Sequence, residues 1–225
     1  MSSIIWTRKR TRRSPQALAI EMAAGGAQEG TVIQGGMPIQ GALRLSVVLR
    51  PRSGLQLGLL ALIATFCASE GIRKDTGIIT WIRWPDEIVA GAEVVATTSM
   101  VPGGAEDAPW AVLNFRINRG HPLTPGQTSL DDLLGVSVDQ DMLVAKILDS
   151  LSWMHSGWVK EMYPQILARI TSMLENVGAR VVVSHNGKAV PGIARGVDEK
   201  GRLIVDIDGT EASARVEDRS GLLNI

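Results

Sequence analysis

The stretch Ile82-Arg83-Trp84-Pro85-Asp86-Glu87-Ile88 interrupts a part of the chain that is otherwise rich in strand-forming residues. The segments on either side, 77–83 and 92–101, contain many Ile, Val, Thr and Trp side chains, which favour strands. Proline cannot donate a backbone hydrogen bond within a sheet, so Pro85 marks a turn. The sequence therefore predicts two strands joined through this stretch.

Similar patterns extend the predicted sheet in both directions. The apolar residues Leu43, Leu45, Val47 and Leu49 alternate with polar ones at the period of two that is typical of a strand, and Pro51 ends the alternation. A further strand is predicted at 109–118. We therefore expect a mixed, mainly antiparallel sheet from about residue 30 to 118, packed on helices, which is the α+β fold class.

Helices are predicted on both sides of this sheet in the sequence. Capping and breaking residues place them at about 15–24, 55–70, from about 139 onwards, and from Pro164 to near Glu175. In the third of these helices, the residues expected to face inward are Met142, Leu143, Ile147, Leu148 and Leu151.

The pattern changes near Val177. Short alternating strands are predicted at 179–184, 189–196, 201–207 and 211–217, with turn residues such as Asn186-Gly187 between them. Evenly spaced hairpins of this kind are typical of a small β-barrel or sandwich. We predict two domains, 1–177 and 178–225.

Composition excludes several classes of protein. Lys plus Arg equals Asp plus Glu at 23 each, so no net charge attracts nucleic acid or an acidic membrane. Cys67 is the single cysteine, so no intramolecular disulfide is possible, which suits the cytoplasm. The apolar run from Leu55 to Ala68 is shorter than the roughly 20 residues that cross a bilayer. The three histidines lack the spacing of metal ligands, so no metal site is predicted.

Five short motifs in a fixed order resemble the biotin–protein ligase family. The stretch 82–88 is similar to the Lys-Trp-Pro-Asn-Asp signature of that family. The others are Gly30-Thr31-Val32-Ile33, Leu45-Ser46-Val47-Val48-Leu49-Arg50-Pro51, Ile117-Asn118, and a C-terminal run from Gly192 to Ile204 that resembles the SH3-like domain of the family. The resemblance implies a class II synthetase-like catalytic domain, followed by a small SH3-like β-barrel. The compact form resembles the archaeal type, without an N-terminal DNA-binding domain.

The family's chemistry requires groups that this sequence has largely lost. Such ligases join biotin to ATP as biotinyl-adenylate and then transfer biotin to a lysine of a carrier domain. Charge develops on the phosphates, so the reaction needs fixed cations, a carboxylate that helps to hold Mg²⁺, and glycines that allow close approach. The glycine- and arginine-rich loop falls on residues 34–44, where the only arginine is Arg44, an alternating strand residue. The catalytic lysine falls on Val94.

The remaining motif positions are altered as well. Only Ser14 survives of the Ser-Thr-Asn motif, and glycines that would approach the ligand become Asn114 and Arg116. The signature changes to Arg83 and Glu87, which keep charge but not geometry. From the resemblance, the candidate ligand pocket consists of Ser14, Gln16, Arg83, Trp84, Glu87, Ala96, Thr97, Asn114, Arg116 and Asn118.

Two functions follow from these departures. The first is a ligase homologue with a degenerate, inactive or weakly active adenylating site, which acts as a binding or interaction protein. The alternative is a functioning ligase in which Arg83, Arg116 and the basic cluster at 8–13 replace the lost cations; its cofactors would be biotin, ATP and Mg²⁺. The resemblance implies two partners, a second copy of the chain and a biotin carboxyl carrier domain. The strand from Ala42 to Arg50 and the tryptophan-rich segments offer apolar surface for the homodimer. A nucleic-acid site at 8–13 is disfavoured by the neutral net charge.

Overall fold

The protein contains two sheets and five helices in the part of the chain that the computed structural model describes, which is residues 4–36, 41–51, 57–120, 123–159, 162–185, 188–208, 213–216 and 222–223. The first seven strands are β1 (Thr7–Thr11), β2 (Thr31–Gly35), β3 (Ala42–Leu49), β4 (Trp81–Arg83), β5 (Glu87–Ala90), β6 (Glu93–Ala105) and β7 (Ala108–Asn118). The helices are α1 (Pro15–Ala24), α2 (Leu57–Thr76), α3 (Leu130–Leu134), α4 (Gln140–Val159) and α5 (Tyr163–Thr171). The last five strands are β8 (Arg180–His185), β9 (Lys188–Val197), β10 (Leu203–Ile207), β11 (Ser213–Val216) and β12 (Leu222–Leu223).

The large sheet has seven strands in the order β1-β2-β3-β7-β6-β5-β4. Its pairs are antiparallel except for β1 with β2, which are parallel. The predicted α+β class with a mixed, mainly antiparallel sheet is therefore confirmed. Four strands, rather than three, occupy residues 77–118, because β5 is a separate strand after the turn at Pro85.

The small sheet is antiparallel, in the order β11-β10-β9-β8-β12. Its described strands leave β11 and β12 as edges instead of closing a barrel. The small sheet approaches the first part of the chain closely at Gly58 in α2, where there is no room for a side chain. A Cβ on Gly58 would lie 2.1 Å from the carbonyl oxygen of Lys200. The Trp84 side chain, 1% exposed, donates from Nε1 to the carbonyl oxygen of Gly201 at 3.0 Å.

Helices cover the large sheet unequally. On one face, α2 packs against β6 and β7, and α4 packs against α2, around the main apolar core. A Cβ on Gly71 would lie 2.5 Å from Cγ1 of Ile147, so only glycine allows α2 and α4 to approach so closely. On the opposite face, α1 packs Ala19 and Ala23 against Ile33 and other apolar side chains. Helix α1 covers one part of that face, and the polar residues of β3, β6 and β7 lie on the rest.

The start and end of α1 agree with the prediction for physical reasons that the structure shows. The Ser14 hydroxyl accepts from the backbone N–H of Ala17 at 3.3 Å, which caps the helix. At the other end, the Arg50 guanidinium donates to the carbonyl oxygens of Ala23 and Ala27 at 2.9 and 2.8 Å. The bond to Ala23 satisfies a carbonyl near the C-terminus of the helix, and the bond to Ala27 holds the chain just beyond it.

Three predictions about individual elements were wrong. Met142 is 51% exposed because it lies in the first turn of α4 on the side away from the core, whereas the other four residues predicted to face inward are buried. Helix α5 ends at Thr171, not near Glu175, since the backbone of residues 173–175 instead bonds to Ile82 at the edge of the sheet. Strand β3 is an inner strand with buried apolar side chains, so it offers no apolar dimer surface.

No helix among the described residues is both long enough and apolar enough to cross a membrane. The same residues contain no group of three or more His, Cys, Asp and Glu side chains arranged to hold a metal ion.

Candidate ligand-binding face

The register of the large sheet aligns five polar residues across five strands. Arg44 on β3 lies opposite Arg116 on β7, which lies opposite Thr97 on β6. Thr97 in turn pairs with Glu87 on β5, and Glu87 with Arg83 on β4. Directly paired residues of antiparallel strands project from the same face of a sheet. These residues therefore form one row, which we call the charged row, on the face that α1 partly covers.

A second row of polar residues runs beside the charged row, closer to α1. It contains Ser46, Asn114 and Ser99, which also lie opposite one another. The Ser46 hydroxyl donates to Oδ1 of Asn114 at 2.8 Å, while Nδ2 of Asn114 donates to the Ser99 hydroxyl at 3.4 Å and to the carbonyl oxygen of Val112 at 3.3 Å. The Asn114 side chain is thus held in one orientation on the sheet surface.

The N-terminus of α1 borders the two rows. A Cβ on Gly35 would lie 3.7 Å from Cγ of Pro15, the first residue of α1, and 3.8 Å from Cβ of Arg44. Gly35 therefore lies between the start of the helix and the first member of the charged row. The first turn of α1 carries no acidic residue, so the positive end of its dipole is not offset there.

Asn118 and residues 126–128 close the opposite border. Asn118 is 1% exposed, and its Nδ2 donates to the carbonyl oxygens of Val94 and Thr128, both at 3.2 Å. Val94, where the sequence resemblance places the family's catalytic lysine, also bonds through its backbone to Gly126 and Thr128. Its side chain is 8% exposed. This border is a buried, hydrogen-bonded structure without a cationic side chain at position 94.

Arg83 is held by carboxylates at the edge of the sheet. Its Nε and one terminal nitrogen donate to the two carboxylate oxygens of Glu175 at 2.8 and 3.2 Å, and Glu87 lies 3.8 Å away. Hydrogen bonding to Glu175 raises the pKa of Arg83 further above its high ordinary value, so the group stays charged. Its contacts join β4 to the segment after α5.

The residues of the predicted pocket are thus divided among three places. Arg83, Glu87, Thr97, Asn114 and Arg116 lie on the polar face, and Asn118 is buried at its border. Trp84 and Ala96 belong instead to the buried core. Ser14 caps α1, and Gln16 is exposed on its first turn. Of the altered loop at 34–44, residues 37–40 lie outside the described part of the chain.

Sequence reasoning missed four residues of potential functional importance. Arg44, Ser46 and Ser99 became visible as members of the polar rows only through the strand register. Gln34 is the fourth: it is 1% exposed, and its Oε1 has no hydrogen-bond partner among the described residues. It pairs with Leu45, so it faces the α2 side of the sheet. A glutamine inside an apolar strand was the available signal.

Asn118→Ala is expected to lower the free energy of unfolding by about 2–3 kcal/mol, because it removes two buried hydrogen bonds and leaves their space unfilled. Chemical denaturation measures the effect. Ser99→Ala, which alters an exposed residue of the same sheet face, serves as the control and should change stability by no more than about 0.5 kcal/mol. Equal effects of the two substitutions would show that Asn118 does not hold this border together.

The fold and this face define an α+β protein in which a mainly antiparallel sheet, covered by helices on one side, presents a polar surface on the other. No protein-family model matches the chain. It is 29% identical over 135 residues, 58% of its length, to the biotin–[acetyl-CoA-carboxylase] ligase of Mycobacterium tuberculosis. It is 23% identical over 216 residues, 86% of its length, to the bifunctional ligase/repressor BirA of Bacillus subtilis. The matches span 48% and 66% of those two curated relatives.

Solved structures show the same fold over nearly the whole chain. The biotin protein ligase of Aquifex aeolicus in complex with biotin and ATP gives a TM-score of 0.73 at 17% identity, covering 99% of this chain and 98% of that one. A biotin protein ligase-like protein from a Silicibacter species gives 0.77 at 17% identity, covering 98% and 100%. The chain thus has the biotin–protein ligase fold, and its resemblance to the biotin–protein ligase family is confirmed.

Proposed function

We propose that this protein is a biotin–protein ligase homologue that makes little or no biotinyl-adenylate and acts as a binding protein through its polar sheet face. The observation that carries the proposal is the position of Arg116. It stands where the family has a glycine, and it lies between Arg44 and Thr97 in the middle of the charged row. A side chain there occupies space through which a ligand would approach the backbone.

The distribution of cations supports the same proposal. Adenylation requires cations that face the phosphates as charge develops. Val94 supplies none, and the Arg83 guanidinium is bonded to Glu175. Glu87, the candidate carboxylate for Mg²⁺, lies beside Arg83 instead of standing alone. No cofactor is assigned on this proposal; biotin, ATP and Mg²⁺ are those of the alternative.

The alternative, a functioning ATP-dependent ligase, is favoured by one specific observation. Arg44 and Arg116 place two cations side by side on the sheet face, near the start of α1. The sequence suggested Arg83, Arg116 and the basic cluster at 8–13 as replacement cations, but Arg83, Arg8, Arg10 and Arg13 are paired with carboxylates. In this alternative Arg44 therefore joins Arg116 in replacing the lost lysine and loop arginines, and the product is a biotinylated carrier domain. The Aquifex ligase that shares the fold binds biotin and ATP.

Biotin transfer to a carrier domain distinguishes the two functions. The protein is incubated with biotin, ATP, Mg²⁺ and a biotin carboxyl carrier domain, and bound biotin is detected with labelled streptavidin. The proposed function predicts transfer at least about a hundredfold slower than that by an active ligase run in parallel. ATP-dependent labelling at a rate within about tenfold of that control would support the alternative.

The proposal includes the finer architecture and the partners that the family resemblance implies. On this proposal residues 178–225 are the counterpart of the family's SH3-like domain, and the protein acts in the cytoplasm as a homodimer that is able to contact a carrier domain. Support for the dimer comes from Trp81 and Trp153, which are large apolar side chains with much of their surface exposed.

Light scattering at micromolar concentration tests self-association. The expected mass is twice the 24.1 kDa of the chain. Trp81→Ser and Trp153→Ser, each compared with Val136→Ser as a matched change at another exposed apolar residue, locate the interface if the mass falls. A monomer mass for the unchanged protein would refute the dimer.

A nucleic-acid function has less support. Strand β1 carries part of the basic cluster at 8–13, but Arg8 and Arg10 both contact Asp141, and Arg13 pairs with Glu21 at 2.8 Å. These two carboxylates offset part of the positive charge of the cluster, which comes from Arg8, Lys9, Arg10, Arg12 and Arg13. Binding to nucleic acid would have to weaken steeply with salt, which a filter-binding assay at two salt concentrations measures.

A further inference from the structure

We infer that Arg44 and Arg116, together with Thr97, form a binding site for an oxyanion, the carboxylate or phosphate group of a small polar ligand. This inference deepens the proposed function, on which it rests, by naming the chemical class that the polar face binds. The site lies on β3, β7 and β6, beside the start of α1.

The first observation is the direct pairing of two arginines. Arg44 and Arg116 occupy opposite positions on adjacent antiparallel strands, where Cβ atoms lie roughly 4.5–5.5 Å apart. Like charges in such positions destabilise a sheet. A bound anion between the two guanidinium groups would reverse the sign of that interaction, because guanidinium binds carboxylate and phosphate through paired hydrogen bonds.

The second observation is that no carboxylate in the described part of the chain neutralises either charge. Among the described residues, Arg44 and Arg116 form no ion pair with a carboxylate, in contrast to Arg83 in the same row. Arg116 donates one hydrogen bond, from Nη1 to Oδ1 of the neutral Asn118 at 2.8 Å. Most of the donors of both guanidinium groups therefore remain available, and Arg44 is exposed to solvent.

The third observation concerns the surroundings of the pair. Thr97, the next member of the row, is half-buried, and its hydroxyl makes no hydrogen bond within the described part of the chain. The N-terminus of α1, which has ten residues, lies on the other side of Arg44. Its positive dipole end adds to the potential that attracts an anion. The nearest acidic member of the row, Glu87, is beyond Thr97 and faces Arg83.

Thermal unfolding in the presence of simple anions tests the site. Sodium phosphate and sodium acetate are the probes, each titrated at constant ionic strength against sodium chloride so that general salt effects cancel. The unchanged protein should show a rise in Tm that saturates with at least one probe. A response to phosphate alone would identify a phosphorylated ligand, a response to acetate alone a carboxylate ligand, and a response to both an unselective oxyanion site.

Two substitutions and one control test whether the rise in Tm depends on Arg44 and Arg116. Arg44→Gln and Arg116→Gln should each weaken the apparent affinity for the probe by about tenfold to a hundredfold, as expected for loss of a charge-assisted contact. Arg195→Gln, which removes an exposed arginine from the small sheet, should leave the affinity unchanged. Without anion, Arg44→Gln should have a Tm equal to or above that of the unchanged protein, because a like-charge contact is relieved.

Two results would overturn the inference: no saturable response to either probe, or an unchanged response in Arg44→Gln. Arg116→Gln alone is not decisive, since it also removes the bond to Asn118. The outcome is independent of catalysis. If the protein transfers biotin and also shows the arginine-dependent response, the proposed function is refuted and the anion site is supported. If it does neither, the proposed lack of adenylation is supported and the anion site is refuted.

Discussion

Trp84→Ala is expected to lower the free energy of unfolding by about 3–5 kcal/mol, the range typical for removal of a buried large aromatic side chain. Trp84 is 1% exposed and is among the largest fully buried side chains of the described core. Its Nε1 donates to the carbonyl oxygen of Gly201, and this bond joins the turn between β4 and β5 to the turn between β9 and β10 of the small sheet. The substitution therefore removes core packing and a contact between the two parts of the chain.

Ile79→Ala is the control for this prediction. Ile79 lies two residues before β4, is 65% exposed, and its replacement should cost less than about 1.5 kcal/mol. Trp84→Phe removes the hydrogen bond but keeps an aromatic ring in the core, and it should cost about 1–2 kcal/mol. All three variants are compared by urea denaturation, with equal m-values required for the comparison. Similar losses for Trp84→Ala and Ile79→Ala would contradict the role of Trp84 as a core residue.

The second large effect concerns catalysis. Biotin-dependent pyrophosphate release is expected to be at least about 10²–10⁴ times slower than in an active ligase. The estimate takes the loss of two charge-assisted contacts that the resemblance implies, those of the lysine aligned with Val94 and of a loop arginine, each contributing roughly 1.5–3 kcal/mol. The sum of the two contributions, at about 1.4 kcal/mol for each tenfold change in rate, gives this range of rate loss.

Val94→Lys should not restore the rate. The position is 8% exposed and is enclosed by backbone bonds to Gly126 and Thr128, so a lysine there would be placed in a poorly solvated site. Arg116 would still stand where the resemblance places a glycine. Groups that act as a unit are not additive, so one restored cation is insufficient. Full recovery by this single substitution would show that Arg116 and the altered loop do not limit the reaction.

Much of the fold was predictable because it depends on local patterns. The alternation from Leu43 to Leu49 was sufficient to predict a strand, and Ser14 with Pro15 was sufficient to predict where α1 begins. The elements that were wrong depend on contacts between distant residues. Helix α5 ends early because residues 173–175 bond to the backbone of Ile82, and no periodicity within the helix contains that information.

The candidate site, like the fold, could be predicted from the sequence only in part. The sequence identified Arg116 and Asn114 as unusual because the family resemblance places glycines there. It did not predict that Arg44 would lie opposite Arg116, since the register of β3 against β7 is set by pairing between strands far apart in the chain. Nor could it show that Arg83 is bonded to Glu175, which follows α5. The chemistry of the face therefore required the structure.

The most direct test of the account is a single-turnover measurement of biotinyl-adenylate. Protein in excess over radiolabelled ATP is mixed with biotin and Mg²⁺ and quenched with acid, and the nucleotides are separated; an active ligase treated identically is the control. This design detects an intermediate that stays bound to the protein, which steady-state assays would miss. We expect labelled biotinyl-adenylate to form at least about a hundredfold more slowly than in the control. Stoichiometric formation of the adenylate at a rate within about tenfold of the control would contradict the account, because the loss of cations that the family resemblance implies predicts a slower reaction.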